Sequence, residues 1–425
     1  MINFSSRILI LSTTTGYQLR SFGEAAQALG IDLVFATDRC HTLDDPWRDG
    51  AIAVRFHEEE AAVDAIVAAA SERPLQGILA VGDRPVVLAA RAAAALGLPG
   101  NPPEAAAASA NKRLSRERLA RAGLRVPEVV PLTTAANIEE VAGRLRYPVV
   151  LKPVALSGSR GVIRADDPRE LVAAFRRVSA LLARPDIRAL RSGLESQLLI
   201  ESFIPGDEYA IEGVLTGGRF TPFAIFDKPD PLDGPFFEER IYVTPSRASA
   251  AAQQAILDTV QRAAAALGLT HGPVHAECRV NGDGVYILEV AARPIGGLCS
   301  RVLQFQDGEA RRSLEHVLLV HACGGDISRA SRESPASAVM MIPIPARGVF
   351  RRVAGEDDAR GVPFVEDLRI TAKRDQLLEP LPEAGSYLGF IFARAPDRGQ
   401  AEAAVREAHA RLAFTITPAI DVGIG

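Results

Sequence analysis

The sequence predicts a mixed fold, in which an α/β region is followed by α+β regions, and three observations lead to this prediction. In roughly the first hundred residues, apolar strand-like runs alternate with amphipathic helix-like runs, which is typical of a parallel sheet covered by helices. Residues 271–290 contain two strand-like runs joined by the turn Asn281-Gly282-Asp283-Gly284, a strong signal for an antiparallel hairpin. Residues 338–425 combine a glycine-rich strand with a helix, which indicates a small α+β domain.

The N-terminal elements follow from the alternation itself. Continuous apolar runs predict strands at 7–13, 32–36 and 77–81. Amphipathic stretches predict helices at 17–29, 58–70 and 85–96. No GxGxxG motif follows the first strand, so a dinucleotide site of the dehydrogenase type is not expected. The stretch LGLPGNPP at 96–103 predicts a boundary at the end of this region.

The later elements are less regular. A charged helix at 111–122 carries Lys112 and leads through a proline-marked strand at 126–131 into a small α/β unit that ends near Arg188. The other predicted elements are a strand at 196–204, a Pro/Gly/Asp loop at 229–235, an alanine-rich helix at 249–267, a helix at 311–323, a linker at 328–337, a strand at 387–393 and a helix at 400–412.

Composition excludes several classes of function. A chain of 425 residues with 48% hydrophobic and 24% charged residues is typical of a soluble globular protein with more than one domain. A net charge of -4 gives no reason to expect a nucleic-acid partner. Cys40, Cys278, Cys299 and Cys323 are far apart, which argues against a zinc site or a disulfide framework. With no signal peptide or membrane span recognised, the expected location is the cytoplasm.

The stretch YPVVLKPVALSGSRGV, residues 147–162, is the strongest pointer to chemistry. It has the pattern of an apolar strand that ends at Lys152, followed by the small loop Ser157-Gly158-Ser159-Arg160-Gly161. Glycines allow backbone N–H groups to approach phosphate oxygens, and an ammonium adds a positive charge. A nucleotide triphosphate is therefore the predicted ligand, with a strand and an ordinary loop as the alternative.

Two acidic residues of the hairpin are candidate metal ligands. If the turn loop holds three or five residues, Glu277 faces Glu289 directly, with about 5 Å between the Cβ atoms. Facing carboxylates repel, and a hard divalent cation such as Mg²⁺ removes that repulsion. Exposed glutamates on a strand face are the alternative. His275 lies on the same strand face, and its role is left open between facing the site and capping the hairpin.

Two further stretches supply candidate binding residues. Arg293, at the end of the return strand, would clamp a carboxylate or a phosphate, and Gly296-Gly297 would offer backbone N–H groups or form a plain turn. The stretch LLIESFIPGDEYAIEG at 198–213 would line an adenine slot or form a half-buried strand and turn. Its candidate residues for contacts with adenosine are Glu201, Phe203, Ile204 and Glu208.

Taken in order, Lys112, Lys152 with SGSRG, IESFIPGDE, Glu277 and Glu289-x-x-x-Arg293 resemble the ATP-grasp superfamily over residues 1–325. The resemblance implies an ATP-grasp fold with a Rossmann-like pre-grasp domain. It implies that the two lysines contact the ATP phosphates, that the loop at 157–161 closes over them, and that the four residues of the adenine slot hold adenosine. Glu277 and Glu289 would bind two Mg²⁺ ions bridged by Glu289, with Mn²⁺ as the substitute. Ala291 departs from the pattern, because many members have asparagine there.

The form EVAARPIGG resembles the branch that contains L-amino-acid ligases, which make dipeptides. The stretch at 227–246 resembles the substrate-side loop of that branch, with Lys228 and Glu239 as candidate substrate-binding residues beside Arg293, Gly296 and Gly297. The stretch at 386–408 resembles its small C-terminal domain. The implied domains are a pre-grasp domain at 1–108, an ATP-grasp domain at 109–327 with its lid at about 125–195, and a C-terminal domain at 338–425.

The implied activity is ATP-dependent ligation of a carboxylate to an amine, through an acyl phosphate, with release of ADP and phosphate. Arg293, Lys152 and Glu239 would be the catalytic residues. The substrates would be small molecules, in particular amino acids, and the family is compatible with a homodimer. The alternatives are a carboxylase or purine-pathway enzyme with another carboxylate or amine, and a non-catalytic nucleotide-binding subunit.

Overall fold

The computed structural model describes residues 6–13, 17–38, 51–307 and 310–419, so Cys40 lies outside the described residues. The chain divides into two compact units. Unit 1 consists of the described parts of 1–126, 210–225 and 248–333. Unit 2 consists of the described parts of 127–209, 226–247 and 334–425.

The N-terminal part of unit 1 is a parallel sheet with helices. Its strands are β1 (Arg7–Ser12), β2 (Asp32–Asp38), β3 (Ile52–Val54) and β4 (Gly77–Val81), in the spatial order β3-β2-β1-β4. Its helices are α1 (Tyr17–Leu29), α2 (Glu59–Glu72), α3 (Val86–Ala95), α4 (Pro103–Ala110) and α5 (Lys112–Arg121). Side chains 8–11 of the central strand are completely buried, which explains its continuous apolar sequence. The predicted parallel sheet is confirmed, but β3 and α4 were not predicted.

The first part of unit 2 is a four-stranded antiparallel sheet with helices. Its elements are β5 (Val129–Thr133), α6 (Ile138–Ala142), β6 (Val149–Pro153), β7 (Ile163–Ala165), α7 (Pro168–Leu182), α8 (Pro185–Arg188) and β8 (Gln197–Ser202). The strand order is β5-β8-β6-β7. The side chain of Asp167 caps α7 by accepting a hydrogen bond from the N–H of Glu170, and Pro168 begins the helix. The apolar face of α7 packs in one core with β6 and β7.

The middle of the chain lies mostly in unit 1. Its elements are β9 (Asp207–Thr216), β10 (Arg219–Asp227), β11 (Ile241–Thr244), α9 (Ala250–Leu267), β12 (Gly272–Asn281) and β13 (Gly284–Ala291), of which β11 belongs to unit 2. Residues 210–216 of β9 and 219–225 of β10 belong to unit 1, where the strand order is β13-β12-β9-β10. The helix α9 begins after Ser249, whose side chain accepts a hydrogen bond from the N–H of Ala252, and ends at Gly268 in the left-handed conformation.

The rest of unit 1 corrects two boundaries of the sequence prediction. Its elements are a 3₁₀ helix (Cys299–Val302), β14 (Gln304–Asp307), β15 (Ala310–Ser313), α10 (Leu314–Ala322) and β16 (Ser331–Arg332), with the strand order β15-β14-β16. The predicted helix at 311–323 begins only at Leu314, because Ser313 ends a strand and caps the helix. The predicted linker at 328–337 contains β16 and the start of the next strand.

The C-terminal part of unit 2 is an antiparallel α+β structure. Its elements are β17 (Ala336–Ile342), β18 (Gly348–Ala354), α11 (Glu356–Arg360), β19 (Val365–Ile370), β20 (Leu377–Leu378), β21 (Gly389–Ala395), α12 (Arg398–Ala410) and β22 (Ala413–Thr417). Within this unit the strands follow the orders β11-β17-β21-β19 and β20-β18-β22. The helix α12 packs its buried residues against β17 and β21. Among the described helices, none combines the length and the apolarity that crossing a membrane requires.

Candidate active site

The predicted phosphate lysine of unit 2 forms an ion pair. Lys152 lies near the end of β6, and its Nζ is 2.5 Å from Oε2 of Glu201 on the neighbouring strand β8. The Glu201 side chain is 2% exposed and that of Lys152 is 13% exposed. Because a buried carboxylate requires a positive partner, Glu201 fixes the position of the ammonium between the two central strands of the sheet. Two residues with separate predicted roles are thus a single charged unit.

The loop at 157–161, here called the glycine loop, is tightly curved. Gly158, Ser159 and Gly161 all have positive φ angles, of 63°, 56° and 75°. A Cβ atom at Gly161 would lie 2.7 Å from Cγ of Pro153, so that position is restricted to glycine. The sequence of small residues is therefore explained by the backbone path of the loop.

The glycine loop presents backbone N–H groups in a pattern suited to an anion. The N–H of Arg160 donates to the carbonyl of Ser157, and the N–H of Val162 donates to the carbonyl of Ser159. In the part of the chain that the structure describes, the N–H groups of Gly158 and Ser159 have no acceptor. Successive N–H groups in such a turn form a concave anion site, as the predicted phosphate contact requires.

The apolar residues of the predicted adenine slot follow β8. The N–H of Phe203 donates to the carbonyl of Pro148 at 3.1 Å, which fixes the chain next to β6. The guanidinium of Arg164 lies over the Phe203 ring, 4.3 Å from its centroid. Phe203 and Ile204 are both half-buried, so part of each side chain is accessible to a ligand.

A second buried ion cluster of unit 2 contains three predicted site residues. Nζ of Lys228 donates to Glu208 at 2.8 Å and to Glu239, while the hydroxyl of Tyr242 donates to the other oxygen of Glu239 at 2.8 Å. The side chain of Lys228 is only 2% exposed. One ammonium thus faces two carboxylates, which leaves a net negative charge that suits an ammonium ligand.

In unit 1, Lys112 is the first residue of α5, directly after the capping residue Asn111, whose side chain accepts two backbone N–H groups of the helix. One turn later, Arg116 is 2% exposed, and its Nη2 donates to the carbonyl of Leu288 in β13. The helix that presents the predicted phosphate lysine is therefore attached to the hairpin by a buried guanidinium.

The hairpin of β12 and β13 places Glu277 opposite Glu289, as predicted, but by a different route. The turn is shorter than assumed, because Asn281 already pairs with Gly284. The pairing shifts by one residue between Glu277 and Cys278, so Leu288 is the extra residue of a β-bulge. The bulge turns Ile287 toward the apolar face while Glu289 stays on the face of Glu277.

His275 is buried between two carboxylates of unit 1. Its Nδ1 is 3.1 Å from Glu212 of β9, and its Nε2 is 3.8 Å from Glu277. Burial disfavours protonation of His275, but the hydrogen bonds with Glu212 and Glu277 outweigh it and raise its pKa to about 9. Burial raises the pKa of Glu212, against the effect of His275. Glu212 also accepts from the N–H of Ile295, so it fixes the chain after β13.

Arg293 lies at the end of β13 in a carboxylate environment. Its Nε donates to Oδ1 of Asp83 at 2.7 Å, and its Nη2 is 3.9 Å from Glu289. Burial alone would lower the pKa of Arg293, but Asp83, Glu289 and Glu277 outweigh it and raise the pKa above its usual value. The guanidinium is therefore permanently charged and is oriented by Asp83.

The two glycines after Arg293 differ in what they tolerate. A Cβ atom at Gly296 would meet no atom within 4 Å, so this position is open space. Gly297 has a φ of 63°, which favours glycine. The N–H of Cys299 donates to the carbonyl of Gly296 at 3.3 Å, so the segment forms a turn ahead of the 3₁₀ helix.

Sequence reasoning missed three residues of these clusters. Asp83 follows β4 at the carboxyl end of a parallel strand, where ligand sites are common in α/β sheets, and that position was its only signal. Glu212 lies inside the stretch 198–213 but was given no role. Tyr242 gave no signal beyond its place three residues after Glu239.

Family models match three parts of the chain. An ATP-grasp N-terminal domain matches residues 23–100, an ATP-grasp domain matches 145–302, and an L-amino acid ligase C-terminal domain matches 340–417. Among solved structures, an L-amino acid ligase from Bacillus licheniformis has a TM-score of 0.79 and 26% identity, and the match covers 97% of this chain and 99% of that one.

Two curated proteins are also similar to more than half of this chain. An uncharacterised protein of Sinorhizobium fredii is 30% identical over 76% of this chain and 65% of its own length. The alanine–anticapsin ligase of Bacillus subtilis is 27% identical over 56% of this chain and 52% of its own length. The chain thus spans about half to two-thirds of the length of these relatives. It belongs to the ATP-grasp superfamily, and its residues 340–417 match the L-amino acid ligase C-terminal domain.

Proposed function

We propose that this protein is an ATP-dependent carboxylate–amine ligase that joins amino acids, or an amino acid and a related carboxylate, by an amide bond. The observation that carries the proposal is the hairpin of unit 1, where two facing glutamates lie beside a buried arginine. Carboxylates for a metal and a guanidinium for developing negative charge are what phosphoryl and acyl transfer require. The similarity to an L-amino acid ligase along the whole chain supports the choice of substrates.

The hairpin fits Mg²⁺, with Mn²⁺ as the substitute. Glu277 and Glu289 face each other with side chains that are 19% and 30% exposed, so their oxygens are accessible and mutually repelling. Ala291, where many family members have asparagine, offers no side-chain oxygen, so these two glutamates would hold the ions. When bound, the ions would neutralise charge on the ATP phosphates.

In the first step, an oxygen of the substrate carboxylate bonds to the γ-phosphorus of ATP while the bond to the ADP oxygen breaks. The ammonium groups of Lys112 and Lys152 and the N–H groups of Gly158 and Ser159 would bind the phosphate oxygens. Glu201 keeps Lys152 oriented. The glycine loop would also exclude water, which would otherwise hydrolyse the acyl phosphate.

In the second step, the nitrogen of the amine bonds to the acyl carbon, phosphate leaves and the nitrogen loses a proton. Arg293, oriented by Asp83, would offset charge on the tetrahedral oxygen. The pair of carboxylates at Lys228 would hold the incoming ammonium, and Glu239 would accept its proton.

The test is phosphate release from ATP and Mg²⁺, screened over single and paired amino acids, with mass spectrometry of the product. We expect release that depends on a particular pair and a product lighter than the pair by one water. Release that ignores amino acids but responds to bicarbonate or another carboxylate would favour the carboxylase alternative. ATP binding without any release would contradict the ligase and favour a non-catalytic subunit.

Other features stay proposals of the same kind. The three-domain division at 1–108, 109–327 and 338–425, with a lid at about 125–195, is to be checked by limited proteolysis with and without ATP. Homodimerisation is to be checked by light scattering, and a cytoplasmic location by fractionation of the source cells.

A further inference from the structure

A segment of the C-terminal region of unit 2 contacts the glycine loop. This segment, residues 379–385, is called the dock. The N–H of Gly161 donates to the carbonyl of Pro382 at 2.8 Å. The Nε of Arg160 donates to the carbonyl of Glu383 at 2.6 Å. One backbone group and one side chain of the glycine loop therefore bind to consecutive carbonyls of the dock.

The backbones of the two segments also lie close to each other, at Gly158 and Gly385. A Cβ atom at Gly385 of the dock would lie 2.9 Å from the carbonyl oxygen of Gly158. A Cβ atom at Gly158 would in turn lie 3.6 Å from the carbonyl oxygen of Gly385. Glycine in both segments thus permits the contact, and a side chain at Gly385 would push the glycine loop away.

Charged side chains connect the dock to α7 and to Arg184, which directly precedes α8. Nε and Nη2 of Arg177 in α7 donate to the two carboxylate oxygens of Glu383, at 2.6 and 2.9 Å. Nη1 of Arg184 donates to Glu379 at 2.8 Å. A bidentate arginine–carboxylate pair has a defined geometry, so Glu383 sets the position of the dock on α7.

The dock and a phosphate would use different parts of the glycine loop. The dock occupies the N–H of Gly161 and the side chain of Arg160. The N–H groups of Gly158 and Ser159 have no acceptor within the described ranges. The dock therefore holds one end of the loop and leaves the other end open for an anion.

We propose that Glu383 is a positioning residue for nucleotide binding, and this rests on the proposed function. Through Arg177 it holds the dock on α7, and the carbonyls of the dock hold the glycine loop in its curved form. The loop then reaches a nucleotide without first having to be ordered, which increases affinity. Glu383 itself touches no substrate.

The test compares Glu383→Gln with the unchanged protein in binding of the Mg²⁺ complex of β,γ-imido-ATP, measured by calorimetry. We expect binding about 3- to 10-fold weaker, because the neutral amide loses the bidentate charged pair while the backbone carbonyl remains. Arg177→Gln should weaken binding equally, and the double variant should be no weaker than either single one. The matched control is Glu139→Gln, which breaks the exposed pair between Glu139 and Arg176, the neighbour of Arg177 on α7.

Kinetics separates positioning from a general loss of structure. Glu383→Gln should raise the KM for ATP, leave the KM for the amino acids unchanged and increase phosphate release per amide formed. Glu383→Asp, which keeps the charge, should recover part of the affinity. Unchanged affinity in Glu383→Gln, or equal weakening in Glu139→Gln, overturns the inference; if Glu383→Gln does not fold, Arg177→Gln decides.

The two proposals fail in different ways. If the unchanged protein binds the ATP analogue but forms no amide, the ligase proposal falls and the role of Glu383 is still decided by affinity. If the unchanged protein binds no nucleotide, both proposals are overturned.

Discussion

The ion cluster at Lys228 in unit 2 and the ion cluster at Arg293 in unit 1 differ in how far their charged groups are exposed to solvent. In the cluster at Lys228, the cation is 2% exposed and its carboxylate partners are 9% and 19% exposed. In the cluster at Arg293, the cation is 11% exposed, but Asp83 and Glu289 are 32% and 30% exposed. The charged groups of the first cluster are therefore less exposed than the carboxylates of the second cluster.

This difference in exposure should determine how strongly a substitution in each cluster lowers the stability of the fold. Removing one partner of a desolvated cluster leaves an uncompensated buried charge, which destabilises the fold. Removing a partly exposed carboxylate costs little stability but removes a ligand or an orienting group. Variants of the first cluster should therefore lower the free energy of unfolding as well as activity, whereas variants of the second should lower activity in a protein that stays folded.

The largest expected effect is that of Glu289→Gln, which keeps the shape of the side chain and removes a charged ligand of the proposed metal site. We expect amide formation to fall on the order of 1,000-fold with little change in melting temperature. Phosphate release and thermal unfolding measure the two quantities. Glu407→Gln, which alters an exposed pair with Arg411, is the control with normal activity. Activity in Glu289→Gln within threefold of the control would remove the glutamate from the metal site.

The next effect concerns the guanidinium. Arg293→Lys keeps the charge but loses the fork that Asp83 orients, so kcat should fall about 100-fold. Asp83→Asn should lower kcat about 10-fold, because it only orients the arginine. Steady-state kinetics with saturating ATP checks both. A larger loss in Asp83→Asn than in Arg293→Lys would show that Asp83 has a role of its own.

Lys228→Met tests the cluster of unit 2. It leaves the largely desolvated carboxylates of Glu208 and Glu239 without their cation, so the free energy of unfolding should fall by about 3 kcal/mol. Urea unfolding followed by circular dichroism measures it. Asp83→Asn should change the same quantity by less than about 1 kcal/mol. If the two variants lose equal stability, the distinction between the clusters is wrong.

The smallest expected effect concerns the pH dependence of stability and two stacked histidines, His271 and His321. The ring centroids of His321 and His271 are 4.5 Å apart, and a ring nitrogen of His321 contacts the hydroxyl of Thr216. Burial, together with the charge on His271, lowers the pKa of His321 to about 4. The unfolded chain therefore binds more protons between about pH 6.5 and 4, so stability should decrease as the pH falls through this window. His321→Gln should flatten melting temperature against pH there; an unchanged slope would contradict it.

The sequence predicted features that depend on residues close together in the chain, and it did not predict contacts between distant residues. The strands β1 and β4 were located to within one residue, because burial on both faces requires a continuous apolar run. The strand Ile52–Val54 was missed because three residues carry no periodicity. Most candidate site residues came from local motifs and from the family resemblance. The contact of Arg293 with Asp83 could not be predicted from the sequence, because the two residues are 210 positions apart and only the tertiary fold brings them together.

The extra residue of the hairpin has a consequence for insertions and deletions. Removing Leu288 would restore a regular ladder and still leave Glu277 opposite Glu289, so by strand pairing alone the deletion looks harmless. Its carbonyl, however, is the acceptor for the buried Arg116 of α5, the helix that starts with Lys112. Leu288 therefore connects the helix of Lys112 to the hairpin of Glu277 and Glu289. A shortened hairpin would keep its acids and lose its alignment with the lysine.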